Sequence, residues 1–255
     1  MLTTLGVVEA CPPPGRVFPD VASFSLPHRR FGDTSLLEWV VRRVTDASQL
    51  SQVVVVCEEG SLSFEVERIV PPDVAVFASK LPDSLSRFRA ATNHFCADAV
   101  VRVQVGSPFI DPVLIDRLVN VACTDSQTDY VSYCSSDGQP VALSRFGVLA
   151  EWCLAAAIER ADEQATDPLD RQDVTRFVFS RPDLFSMRLI PVPTQLDRDD
   201  LRLGINIEED WEHAQIIYDA LGPESLEWQT IACLLDQHPE IRARMATLNR
   251  EEASV

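Results

Sequence analysis

The sequence predicts an α/β protein built on a mainly parallel sheet, and two observations carry that expectation. Short β-branched runs such as "QVVVVC" and "DAVVRVQV" alternate with longer stretches of helical periodicity, the pattern of strands joined by crossover helices. Several of those runs are nearly continuous valine rather than alternating, as strands covered on both faces require.

The elements follow in order. "TLGVVEA" reads as a first buried strand, "SLLEWVVRRVTDA" as the helix after it, "QVVVVC" as a second strand and "DVAVFAS" as a third. In "DSLSRFRAATNHF", Leu85, Phe88 and Ala91 recur every three residues, and Asp83 stands where a helix cap belongs. The strand "DAVVRVQV" then runs into a Gly-Ser-Pro turn. Asp111 as cap and Pro112 in the first turn start the next helix, "DPVLIDRLVNVACT". "DYVSYC" is read as a strand, "GVLAEWCLAAAIERA" as one long helix, "LRLGIN" as a late strand, and "EEDWEHAQIIYDAL" as a helix whose acidic start suits the helix dipole. From Pro223 the chain reads as two short helices. The expected organisation is an α/β domain over residues 1–222, with a helical appendage, 223–255, packed on it. The interior strands should be "GVVEA", "QVVVV" and "AVVRVQV".

Composition narrows the function. Hydrophobic residues make up 46% and charged residues 24%, as in a soluble globular protein. No apolar run reaches the roughly 18 residues a membrane span needs, and the N-terminus lacks the pattern of a signal peptide, so a cytoplasmic location is expected. Seven cysteines without CxxC spacing fit a reducing compartment, with Cys57, Cys123, Cys153 and Cys233 read as small buried hydrophobes. A net charge of −17 repels nucleic acid and anionic lipid. Lys80 is the sole lysine, so a bound anion would be held by arginine or backbone N–H groups. The one long irregular stretch, "CPPPGRVFPDVASFSLPHRR", follows the first strand. Ligands of open α/β sheets sit at such strand ends.

Five stretches, in this order, resemble the cytidylyltransferases that make CMP-activated sugars, in particular the spore coat polysaccharide biosynthesis protein F branch. They are "GDTSLLEWVVRRV", "DSLSRF", "ADAVVRVQVGSPFIDPVLIDRLV", "ATDPLDRQDVTRFVFSRPDLF" and "DLRLGINIEEDWE". The resemblance implies a three-layer α/β/α nucleotide-diphospho-sugar transferase-like sheet. It implies transfer of a nucleoside monophosphate to a sugar hydroxyl, with Mg²⁺ in an active relative. It also implies a homodimer.

Set against the family's pattern, the reacting positions are altered. The triphosphate cradle would fall on "ACPPPGRVFPD", where Cys11 replaces an Arg, Asp20 falls near a Lys position, prolines remove N–H donors, and only Gly15 and Arg16 remain. Thr-Gly-Asp-Cys-Pro becomes Gln104, Val105, Gly106, Ser107 and Pro108, so the metal-holding Asp is Gly106. A second acid becomes Asn206, two sugar-side acids become Pro140 and Ala142, and a His becomes Asp173. The expected contacts to a nucleotide or sugar are therefore Gly15, Arg16, Arg87, Arg102, Gly106, Ser107, Arg171 and Asn206, with no catalytic residue, metal ligand or cofactor. Asp111 is read as a cap, Arg171 equally as an ion-pair partner, and Arg102 as facing the site edge or an acid such as Asp98. Three functions stay open: a catalytically silent relative in sugar activation, an active transferase rebuilt on Arg16 and the "HRR" cluster, and a structural subunit.

Overall fold

The computed structural model describes residues 2–252 apart from 11–22, 126, 137, 139 and 142. The chain runs through β1 (Thr4–Glu9), a 3₁₀ turn (Ser23–His28), the small ribbon β2 (Arg30–Phe31) and β3 (Thr34–Ser35), and α1 (Leu36–Thr45). Next come β4 (Gln52–Glu58), α2 (Ser61–Ile69), β5 (Ala75–Ser79), α3 (Ser84–His94), β6 (Ala99–Gln104), α4 (Pro112–Ala122) and β7 (Tyr130–Cys134). The second half holds α5 (Leu143–Phe146), β8 (Glu151–Leu154), α6 (Ala155–Gln164), α7 (Pro168–Gln172), α8 (Arg176–Phe179) and β9 (Met187–Pro191). It closes with α9 (Glu208–Leu221), α10 (Trp228–Gln237) and α11 (Pro239–Glu252).

Seven strands form one sheet in the order β5-β4-β1-β6-β8-β7-β9. Only β8 runs against its neighbours, so the other strands present their carboxyl ends on one side. As expected, β1, β4 and β6 are interior. Val54, Val55, Val100 and Val101 are fully buried, alternately on the two faces. Each such valine contributes about 1.5–3 kcal/mol relative to an exposed one. One face packs against α1, α2, α4 and the C-terminal helices, with Ile231, Leu235 and Met245 in that core; the other packs against α3, α6 and α8.

The helix starts obey their local chemistry. Ser35 accepts from the Glu38 N–H, Asp83 from the Ser86 N–H, and Asp111 from those of Val113 and Leu114, with Pro112 in the first turn. Each satisfies donors that the helix itself leaves unpaired.

Three readings are corrected. "GVLAEWCLAAAIERA" is not one helix, because residues 151–154 form β8 before α6 begins. Apart from Glu151 the run is apolar and has neither a period of two nor one of 3.6, and the slot between β6 and β7 claims it, with Trp152 in one core and Cys153 in the other. "LRLGIN" forms no ladder; Leu203 N and Gly204 N both donate to Arg145 O, and Ile205 N donates to Gly106 O. The late strand is instead β9, whose Arg188 and Pro191 interrupt an alternating pattern. Cys57 and Cys153 are buried as read, but Cys123 caps α4 and Cys233 lies on the outer side of α10, both exposed.

Candidate functional site

The Gly106 turn ends β6, and the 201–207 segment lies directly against it. Ile205 N–H donates to Gly106 O at 2.8 Å. The approach is closer still on the side where any other residue would carry its side chain. A Cβ at position 106 would lie 2.7 Å from the Ile205 carbonyl oxygen, so glycine is what allows the two backbones to meet. The resemblance puts an acid at both 106 and 206, and this contact brings those two positions together.

The 201–207 segment is anchored from beneath. Asp210, in the first turn of α9, accepts from the N–H groups of Asn206 and Ile207 at 2.8 and 3.1 Å and from Arg202 Nε at 2.6 Å. Arg202 continues to Glu252 and Asn249 of α11, and Asn249 donates to the carbonyls of Asp199 and Leu201. The last helix therefore clasps the loop that carries Asn206.

On the other side of the β1 and β6 ends lies a buried ionic cluster. Arg102 donates from Nε to Glu9 at 2.8 Å and from Nη1 to Asp173 at 2.5 Å and Thr175 at 3.0 Å. Glu151 lies 3.5 Å from Nη1 and accepts from Thr175 at 2.6 Å and from the Tyr130 hydroxyl at 2.8 Å. Burial opposes the guanidinium charge, but Glu9, Asp173 and Glu151 together outweigh it and hold Arg102 above its ordinary value. Burial raises Glu151, with Arg102 pulling against it, and burial likewise raises Tyr130 well above the phenol range. Among the described residues the Nη2 of Arg102, though buried, has no hydrogen-bond acceptor. Arg102 thus faces acids, but not Asp98, which instead accepts from the Thr3 N–H.

The remaining candidates scatter. Ser107 is a buried turn residue whose N–H donates to Gln104 O. Arg87 is buried and donates to Leu81 O and Ser84 Oγ. Arg171 spends all five donors inside the protein, on Asp83, Asp162, Ser86 and the carbonyls of Asp162 and Ala165. Gly15 and Arg16, with Cys11, Asp20 and Ala142, lie outside the described residues; Pro140 bridges Cys134. In "HRR", Arg29 forms a two-pronged pair with Glu208 at 2.6 Å and stacks 4.0 Å from Trp211. His28 and Arg30 line a cleft of about 530 Å³ with Arg42 and Arg68, away from Gly106 and Asn206, and each arginine there has a carboxylate neighbour. The partners Glu151, Thr175 and Tyr130 were missed in the sequence, where no spacing links them to Arg102.

A hard divalent cation wants several charged oxygens in a fixed arrangement. Among the described residues no three His, Cys, Asp or Glu side chains converge to hold one. Position 106 has no side chain and no room for one, and the nearby carboxylates of Glu9, Asp210 and Glu208 are each engaged by an arginine. The described residues therefore do not fit Mg²⁺.

A seven-stranded, mainly parallel sheet with helices on both faces defines an α/β nucleotidyltransferase fold. The chain belongs to the cytidylyltransferase family, whose model, described as "Cytidylyltransferase", matches residues 27–227. It is similar to the spore coat polysaccharide biosynthesis protein SpsF of Bacillus subtilis, 22% identical over 218 residues, 83% of this chain and 88% of the relative. Among solved structures it resembles a cytidylyltransferase from Leptospira borgpetersenii, with a TM-score of 0.78, 20% identity and coverage of 93% and 94% of the two chains. It also resembles a CMP:2-keto-3-deoxy-manno-octonic acid synthetase complexed with CTP, with a TM-score of 0.61, 10% identity and coverage of 85% and 98%.

Proposed function

We propose that this chain is a catalytically silent cytidylyltransferase-family protein that binds a cytidine nucleotide or an activated sugar in cytoplasmic polysaccharide assembly. The nucleotide class is suggested by the CTP-bound synthetase of the same fold, and the pathway by the spore coat relative. No described helix is long and apolar enough to cross a membrane.

The observation that carries the reading is the Gly106–Ile205 contact. Where the resemblance implies an acid, two backbones meet with no space for a Cβ. Nucleotidyl transfer develops charge on the departing pyrophosphate, and loss of one stabilising contact of that kind costs about 10²–10³-fold in rate. Here Gly106 and Asn206 stand together where the resemblance implies acids, and Arg29 of the "HRR" cluster is committed to Glu208.

The test is isothermal titration with CTP, with and without Mg²⁺, beside a pyrophosphate-release assay with acidic sugars. The expected result is nucleotide binding whose affinity ignores the metal, and pyrophosphate release at background. Metal-dependent turnover well above background would overturn the reading.

A further inference from the structure

The cleft of about 530 Å³ that Arg30 lines lies between the β2–β3 ribbon, α1 and the end of α2. That volume suits a small molecule. Three arginines open onto it, one from each wall: Arg30 from the ribbon, Arg42 from α1 and Arg68 from α2. In a chain with 22 basic residues against 39 acidic ones, such a convergence locally reverses the prevailing field.

The three are not equally committed. Glu38 holds Arg42, accepting from its Nε at 3.0 Å and its Nη2 at 2.6 Å. Arg30 stands 3.7 Å from Asp33, and Arg68 stands 3.9 Å from Glu65, both beyond hydrogen-bond distance and both between mostly exposed side chains. Exposed pairs of that kind contribute little and yield readily to a better partner. Among the described residues Arg30 spends only its Nε, on Gly32 O, and Arg68 makes no hydrogen bond. Each guanidinium carries five N–H donors, so both forks remain open to a ligand.

A planar fork matches phosphate oxygens two at a time. The carboxylates of Asp33 and Glu38 line the same cleft, and an ionised carboxylate can only accept, which suits it to hydroxyl groups. Guanidinium donors beside carboxylate acceptors therefore match a molecule that carries both a phosphate and hydroxyls. Among the described residues no Phe, Tyr or Trp ring lines the cleft to stack on a base.

We propose that this cleft is a second ligand site, separate from the strand ends at Gly106 and Asn206, and that it takes a sugar phosphate. Arg30 and Arg68 hold the phosphate, Arg42 adds its charge, and Asp33 and Glu38 accept from the sugar hydroxyls.

Isothermal titration of the full chain tests this, with glucose 1-phosphate and glucose 6-phosphate as probes beside inorganic phosphate and glucose, each with and without CTP. The expected result is saturable one-to-one binding of at least one sugar phosphate, tighter than inorganic phosphate, absent for glucose and unchanged by CTP. Arg30→Gln and Arg68→Gln should each weaken it about tenfold or more, as loss of a charge-assisted bond does, with circular dichroism unchanged. Arg181→Gln makes the same charge change over Phe177 on the other face of the sheet and should leave binding unaltered. Asp33→Ala should keep inorganic phosphate and narrow the preference for the sugar phosphate. No saturable binding of either sugar phosphate, competition by CTP, full affinity in both Arg30→Gln and Arg68→Gln, or an equal loss in Arg181→Gln would overturn the proposal. So would inorganic phosphate bound as tightly as either sugar phosphate, or a sugar preference unchanged in Asp33→Ala.

Discussion

Replacing Gly106 by alanine tests the contact on which the functional reading stands. The added Cβ would lie 2.7 Å from Ile205 O, a distance real Cβ atoms essentially never show, and the obstacle is backbone rather than a movable side chain. Relieving it means parting the two segments, at about 1–3 kcal/mol for overpacking. The 2.8 Å bond from Ile205 N to Gly106 O goes with it, worth about 0.5–1.5 kcal/mol. Alanine also restricts the unfolded chain, which returns about 0.4–1 kcal/mol. The net expectation is a loss of about 1–3 kcal/mol, read as a lower urea midpoint at unchanged slope. Gly106→Asp, which restores the acid of the resemblance, should lose at least as much, and Mg²⁺ should not raise its midpoint even beside Asn206→Asp. An alanine variant as stable as the parent, or a midpoint that climbs with Mg²⁺ as ligand linkage demands, would refute the reasoning.

Three further outcomes are expected. Arg102→Met strands Glu9 and Glu151 as buried carboxylates and should cost about 3–5 kcal/mol in urea unfolding, with part of the loss recovered as acid protonates Glu151, which burial already raises; a loss under about 1 kcal/mol would mean that the cluster is not held by its arginine. Asp111→Ala should cost about 1 kcal/mol, because two α4 N–H groups lose their acceptor, and an unchanged midpoint would count against that cap. Burial lowers the pKa of His213 from the ordinary 6.5, with Arg244 adding to the shift and Asp210 opposing it. The unfolded chain therefore takes up a proton that the folded chain resists, and stability should fall as pH drops from about 6.5 toward the lowered folded value. His213→Gln should flatten that fall, and an equal slope in both proteins would exclude His213 as its source.

Much of the fold was legible because burial leaves a local trace. Interior strands on both faces read as valine runs, and caps read as Asp or Ser ahead of an apolar period, so β1, β4, β6, α1, α3 and α4 were all recognisable. The failures have one physical source, which is that a tertiary slot can assign a segment whose own pattern is neutral. "EWCL" is as apolar as the helix that follows it, and only the gap between β6 and β7 makes it a strand. "LRLGIN" has a strand's composition, but Leu203 N and Gly204 N share the Arg145 carbonyl and Ile205 N goes to Gly106 O, so among the described residues it builds no ladder.

The site was legible as a set of departures and illegible as a geometry. Gly106 and Asn206 could be noticed because each stands where a charged residue is expected, yet a sequence does not show that the space at 106 has been filled by the Ile205 carbonyl. The arginines illustrate the same limit. Arg102 and Arg171 share a residue type, but Arg171 has all five donors occupied, whereas Arg102, among the described residues, keeps a buried Nη2 without an acceptor beside Glu9 at the end of β1. Donor accounting separates them: the first has nothing left to offer a ligand, and the second, among the described residues, keeps an unmet hydrogen bond beside Glu9 at the end of β1. Because three carboxylates already surround it, that remaining donor suits a neutral carbonyl or hydroxyl oxygen better than a phosphate. On the proposed reading, the carboxylates around Arg102 and the missing side chain at Gly106 argue in one direction, toward holding a ligand rather than stabilising a departing pyrophosphate.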